Sequence, residues 1–301
     1  MMIYIDSIVT KVYLFIWNYL VMIKLTFKSL LLILIPLFIS GCGELKRLSL
    51  SQICEDAPGI CDDLHIIGDC RYQRTSLIRA RYEHLQEPNV KNTQLLLEEL
   101  DGYKACLEPT LHIAYTRYKD RKQKRLDNYL ASQKVIEQLL SESVGTQDPN
   151  LAYYLWVNYK DLKAKKVFLN AANQPNLSDT SLLIKLGVYY SSDEPQKSID
   201  FYYKALRETN NIESLPSNTF LQLVTFFYRH RLYEETYIWA KVALDTSEEP
   251  TPIRLEMITK KANFSEKKQS QLNKKAKKYI SDLKDGLFNQ KTPVLDLAPT
   301  E

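Results

Sequence analysis

The stretch "SLLIKLGVYYSSDEPQKSIDFYYKALRE", Ser181 to Glu208, decides the fold. Leu186, Gly187 and, three residues after the glycine, Tyr190 fall on one face of a first helix. "SSDEP" then breaks the pattern as a turn. Ser198, Tyr202 and Ala205 follow at steps of four and three, the spacing of a second helix. Small side chains on both helices let the pair approach closely, and the aromatic between them fills the space left beside the contact. The stretch therefore predicts a tight helical hairpin.

That arrangement resembles a tetratricopeptide repeat. The motif has Leu-Gly and an aromatic three residues later on its first helix, then small, aromatic and small residues on its second. The match holds if the turn is one residue short. A second copy, "TFLQLVTFFYRHRLYEETYIWAKVALD", places Leu223 and Phe227 on its first helix and Thr236, Ala240 and Ala243 on its second. From Ala205 to Ala243 is 38 residues, above the usual ~34 of the repeat. Val224 stands where the motif has glycine. A fainter copy precedes both, with Leu155 on its first helix and Ala164, Phe168 and Ala171 on its second. A generic stack of α-hairpins would look much the same in space. The fold class expected is all-α: an α-hairpin stack or tetratricopeptide-like solenoid over residues 150–288, preceded by a disulfide-pinned helical region.

Downstream, "SEKKQSQLNKKAKKYISDLKDGLF" places Leu272, Ala276, Tyr279, Ile280, Leu283 and Leu287 on one helical face, with paired lysines on the other. The preferred reading is a capping helix that covers the last apolar surface of the stack; contact with an anionic membrane is the alternative. Residues 289–301 read as a flexible tail.

Upstream, "SVGTQDPN" (Ser143 to Asn150) marks a boundary, and residues 70–142 form a helical region of their own. Arg71 to Leu85 carries Leu77, Ile78, Tyr82 and Leu85 at helical spacing, and Gln94 to Leu107 carries Leu96, Leu100, Tyr103 and Leu107. A long helix is expected from Pro109 to about Ser141. Its basic middle, "RYKDRKQKRLDNY", reads as a solvated face, with Tyr115, Tyr118, Tyr129 and Ile136 on the buried side. The acidic residues around the cysteines, Glu55, Asp56, Asp62, Asp63 and Asp69, fit no EF-hand spacing and read as a solvated loop.

The extreme N-terminal part carries an address. "LLLILIPLFISGCGELKR" follows Lys24 and Lys28 with an apolar run too short to span a bilayer as a helix, which takes ~20 residues. It ends in Ile39-Ser40-Gly41-Cys42. A charged start, short apolar middle and small-residue exit make a secretory signal. The exit resembles the bacterial lipoprotein signal, in which Cys42 receives a diacylglyceryl group and the chain is cut before it. Residues 1–41 are then a cleaved signal region with Met22 as its true start, and residues 42–69 a Cys-containing linker. Gly43 rather than Asp after the cysteine points to the outer membrane, with the protein facing the periplasm.

In that oxidising compartment the four other cysteines, Cys54, Cys61, Cys70 and Cys106, suit two disulfides. Three pairings are open. Cys54–Cys61 and Cys70–Cys106 are preferred, because Cys70 opens one helix, Cys106 closes the next, and those ends meet in an antiparallel pair. A metal site from Cys54, Cys61, His65 and Cys70 is the competing reading, and it lacks Cys-x-x-Cys spacing.

Net charge is +4 for the whole chain, and Lys11, Lys24, Lys28 and Asp6 lie in the leader, so about +2 remains beyond it. That gives no electrostatic case for nucleic acid as a partner. The four histidines, His65, His84, His112 and His230, form no His-Glu-x-x-His, and no nucleophile elbow or phosphate-cradling loop is present. No enzyme and no cofactor are expected. Most of Cys42 to Asp245 resembles a family of proteobacterial lipoproteins known only as a domain of unknown function; that resemblance implies no catalytic residues. The functional expectation is a protein-binding adaptor or scaffold, held at the membrane through lipid on Cys42 and recognising an envelope protein through Tyr190, Tyr202 and Phe227. A structural lipoprotein without a partner groove, or an enzyme acting on cell wall, are the alternatives.

Overall fold

The computed structural model describes residues 48–247 and 251–295, so Cys42 and its leader lie outside the described residues. Twelve α-helices and no strand occur among the described residues. The chain divides into two units, residues 1–59 and 60–301. In the first, helix α1 (Leu50–Asp56) starts with a capping box: the Ser49 side chain accepts from the Gln52 amide, and the Gln52 side chain accepts from the Ser49 amide. No helix of the described residues is long and apolar enough to cross a membrane.

The second unit opens with helices α2 (Arg71–Gln86) and α3 (Val90–Leu107), packed as an antiparallel pair. Asn89 caps α3 by accepting from the Asn92 amide at 2.8 Å. Cys70 and Cys106 are joined with their Cα atoms 5.9 Å apart, which ties the start of α2 to the end of α3. Cys54 and Cys61 are each disulfide-bonded as well. The stripe Leu96, Leu100, Tyr103 and Leu107 is buried as expected, whereas Leu85 is exposed and Arg81 takes the buried place.

The long helix expected from Pro109 does not form as one piece. A short 3-10 turn (Glu108–Thr110) and an irregular stretch precede α4 (Asp120–Glu142). Tyr118 has φ of 57° and an exposed side chain, so it is not on a buried face. The inner face of α4 is instead polar at its start: Arg125, Asn128 and Ser132 are buried, followed by Ile136 and Leu139.

This polarity has named partners. Arg125 is fully buried; it pairs with Asp69, donates to the Thr110 carbonyl at 3.0 Å and lies 4.5 Å from the Tyr115 ring centre. Asn128 accepts from the His65 amide at 2.7 Å and donates to the His65 carbonyl at 2.9 Å and the Tyr103 hydroxyl at 2.8 Å. Arg81 grips Asp63 with both terminal nitrogens, at 2.6 and 3.1 Å. Arg74 donates to the Leu64 carbonyl at 2.8 Å. The acidic loop is thus not merely solvated, nor is the basic helix: Asp63 and Asp69 answer buried arginines. Burying a guanidinium without such partners would be costly.

Three hairpins follow. Their helices are α5 (Pro149–Tyr159) with α6 (Leu162–Ala171), α7 (Thr180–Tyr190) with α8 (Pro195–Glu208), and α9 (Thr219–Arg229) with α10 (Tyr233–Thr246). Asp148, Asp161 and Asp179 cap α5, α6 and α7 by accepting from backbone amides two or three residues on. Leu155, Ala164, Phe168 and Ala171 of the first hairpin are buried, as are Leu223, Phe227, Thr236, Ala240 and Ala243 of the third. Helix α3 packs on α5, α5 packs on α7, and Tyr202 of α8 meets Phe226 of α9, so the pinned pair and the hairpins form one series. Asp101 of α3 fixes the first joint by accepting from Tyr154 at 2.6 Å and Tyr159 at 2.7 Å. Burial, and then that carboxylate, push both phenols well above their ordinary pKa.

The series ends in α11 (Leu255–Ala262) and α12 (Glu266–Lys284), both packed on α10. Leu272, Ala276, Tyr279 and Leu283 are buried, and Trp239 meets Tyr279 at 5.3 Å. Leu287 is exposed, and Phe288 beside it is buried against Tyr203, Trp239 and Tyr279. The chain beyond does not simply leave the surface: residues 290–295 lie along α8.

Candidate docking groove

The second hairpin shows how local sequence builds the site. Gly187 lies so close to Tyr202 that a methyl group on it would meet the ring at 3.0 Å. Ser198 donates to the Gly187 carbonyl at 2.6 Å. The small residues therefore bring α7 and α8 together, and Tyr202 covers the gap and continues toward α9.

Beyond that contact, α7 and α9 leave an open groove of about 320 Å³. Val188 and Ser191 line it from α7 and its end, Tyr202 forms part of its floor, and Leu221, Gln222, Thr225, Phe226 and Arg229 line it from α9. The Tyr202 hydroxyl faces the Gln222 side-chain oxygen at 3.5 Å, a long contact, and burial raises its pKa. Arg229 is exposed at the rim, beside His230, whose imidazole pKa is lowered by burial and then by that arginine. The surface offers an aliphatic and aromatic strip, amide and hydroxyl groups and one cation. Such a combination can hold a peptide but has no nucleophile–base pair.

Two other hollows differ in character. One of about 550 Å³ opens among Leu215, Pro216, Phe220, Ala243 and Thr246, where loops meet the ends of α9 and α10. One of about 430 Å³ lies between α3 and the starts of α5 and α7, and is lined by Glu98, Asp148, Asn150, Asp179 and Lys185. There Lys185 donates to Asn150 at 2.7 Å and Asn150 donates to Asp179 at 2.7 Å. Burial lowers the Lys185 pKa. In this hollow Asn150 bridges Lys185 to Asp179, whereas Arg229 at the α7–α9 groove makes no ion pair among the described residues.

The expected anchors occupy other roles. Tyr190, Tyr202 and Phe227 are 9%, 2% and 0% exposed. Tyr190 stacks on Phe201, Tyr202 wedges against Gly187, and Phe227 is core. They are packing residues, because the motif that makes them recognisable in sequence uses its aromatics between helices. Only Tyr202 reaches the groove. Leu221, Gln222, Thr225 and Arg229 had no signal of their own: they are simply the other face of α9. Cys42 lies outside the described residues. No group of three or more His, Cys, Asp or Glu residues suited to a metal occurs among the described residues.

These features define a helical-hairpin protein with a disulfide-tied N-terminal pair and an open interhelical groove. The chain belongs to the family described as "Protein of unknown function (DUF2989)", whose model matches residues 39–241. The match starts in the Ile39–Cys42 exit and ends within α10. No curated protein and no solved structure matches the chain.

Proposed function

We propose that this protein is a lipid-anchored envelope lipoprotein whose tetratricopeptide-like hairpins dock a partner protein. The leader and Ile39-Ser40-Gly41-Cys42 support export and lipidation, and Gly43 supports an outer-membrane anchor facing the periplasm. Disulfide-bonded cysteines suit that compartment. The observation that carries the adaptor reading is the groove between α7 and α9, open and mixed in chemistry, with Arg229 at its rim. Peptides laid into helical grooves use such mixtures of apolar strip and polar edge.

A second reading has its own support. Burial of Tyr190, Tyr202 and Phe227 is what a purely structural lipoprotein would also show. Site-specific photo-crosslinking in cells separates the two. A photo-reactive residue at Thr225 should give a discrete adduct, lost when Leu221→Asp is added and reduced when Cys42→Ala removes the anchor. An adduct absent at Thr225, or equally strong from the exposed Leu126 on α4, would leave the structural reading.

A further inference from the structure

Residues 290–295 cover one line of α8, and that line has the chemistry of a peptide reader. Gln196, Asp200, Tyr203 and Arg207 stand four, three and four residues apart, on one helical face. At ~1.5 Å per residue the line from Gln196 to Arg207 is roughly 16 Å long. Five steps of extended chain, at ~3.3 Å each, cover the same distance. The segment runs opposite to α8, with Gln290 at Arg207 and Leu295 at Gln196.

The two ends read different things. Gln196 accepts from the Leu295 amide at 2.9 Å and donates to the Pro293 carbonyl at 3.2 Å. These groups flank Val294, and a neighbouring β-strand would meet the same two. Val294 itself is 87% exposed, and Leu295 is buried. Arg207 donates to the Gln290 carbonyl at 3.1 Å and reaches the Thr292 hydroxyl at 3.5 Å. Recognition is therefore of backbone, with one aliphatic side chain as anchor.

The hold stops short of the cap. Phe288 is packed among Tyr203, Trp239 and Tyr279, and Gly286, at φ of 65°, turns against the Asn210 backbone. Among the described residues, the side chains of Gln196 and Arg207 supply the hydrogen bonds to the backbone after Phe288, so the segment can leave without unpacking α12. The matching lines of the other hairpins differ. In α10 it starts at Glu234, which α12 engages through Lys268 at 2.5 Å. In α6 it starts at Leu162, whose side chain has no amide.

We infer that this α8 line is a docking site for an extended segment of another protein, one that places an aliphatic residue one position after an outward-pointing residue, and that residues 290–295 are its resident, exchangeable occupant. The inference rests on the hairpin stack and is separate from the groove between α7 and α9. Partner exchange would follow competition: a tethered segment has an effective concentration of ~mM, which a free segment must overcome.

The test uses full-length chains. Leu295→Asp unseats the resident segment. A fluorescein-labelled peptide Gln-Lys-Thr-Pro-Val-Leu, amidated at its end, should then bind saturably by anisotropy. Binding should weaken at least tenfold in Leu295→Asp/Gln196→Ala, and wild type should bind more weakly than Leu295→Asp. No saturable binding at about mM peptide, or indifference to Gln196→Ala, would overturn the proposal. Should Leu295→Asp fail to fold, Gln196→Ala alone serves: exchange of the Leu295 amide should quicken tenfold, and unchanged exchange would overturn it. A wild-type dimer lost on Gln196→Ala would instead make a second copy the occupant.

Discussion

The disulfide-tied region, residues 60–142, and the hairpins of residues 149–246 are both helical, yet they hold together by opposite means. In the first, long polar side chains reach across the sequence: Arg125 meets Asp69 and Asn128 meets His65, 56 and 63 positions apart. In the second, backbones touch through small residues nearby in sequence, as when Ser198 donates to Gly187 eleven positions away. Contacts between distant positions close large loops and form together; nearby contacts form hairpin by hairpin. Damage should therefore spread through the first region and stay local in the second, as in repeat stacks.

The largest effect tests the first half of that contrast. Cys70→Ser with Cys106→Ser removes a link across 36 positions. The chain-entropy account sets the loss at about 3–4 kcal/mol. Chemical denaturation should show the loss, and hydrogen exchange should rise throughout α2, α3 and α4 while α9 and α10 keep their protection. A rise confined to α2 would break the comparison.

Next comes Arg125→Met. It leaves Asp69 without its partner and the Thr110 carbonyl without its donor. Losing one member of a buried pair costs about 3–5 kcal/mol, and the lower end applies because the Asp69 side chain retains 40% exposure. Asp69→Asn should cost less, since an amide still accepts from the guanidinium. No loss from Asp69→Asn, measured by urea denaturation, would mean that Arg125 acts through its other contacts, whereas equal losses from both substitutions would place the whole effect in the charge pair.

The same contrast explains what the sequence discloses. Leu186, Gly187, Tyr190, Ser198, Tyr202 and Ala205 signal their hairpin because apolar and small residues at helical steps have few uses other than close packing. Cys70 and Cys106 signal their pairing because two antiparallel helices bring those ends together. Arg125, Asn128 and Arg81 stay hidden, since a polar residue in a charged stretch reads as solvated until its partner is known, and the partners lie in a distant loop. Tyr190 and Phe227 mislead for the opposite reason: an aromatic is equally suited to a core and to an interface. The segment 290–295 has no periodic pattern to read, and its place depends on Gln196 and Arg207 of another helix.

A smaller effect probes the second half of the contrast. Ala205→Leu enlarges a residue of α8 that has no exposure. Overpacking costs about 1–3 kcal/mol. Gly187→Ala, which sets a methyl 3.0 Å from the Tyr202 ring, should fall at the lower end. Exchange should increase in α7 to α10 and remain unchanged in α2 and α3. Loss of protection across all helices would make the stack as cooperative as the tied region.

The smallest effect concerns acidity at the groove's rim. His230 sits 4.6 Å from the Phe226 ring, with its pKa lowered by burial and then by Arg229. Its neutral form is thus favoured in the folded chain. A group with a depressed folded pKa contributes stability that is present above the unfolded value of ~6.5 and fades as pH falls below it. Carboxylates throughout the protein also titrate on acidification, so the useful quantity is a difference. Wild type should lose more stability than His230→Gln between pH 7.5 and 5.5, as read by thermal unfolding at each pH. The extra exchange at low pH should appear at the end of α9 and the start of α10, leaving α2 to α4 untouched. If the two proteins keep parallel pH profiles, the imidazole is as free to take its proton in the folded hairpin as in the unfolded chain, and acid does not act at the groove through His230.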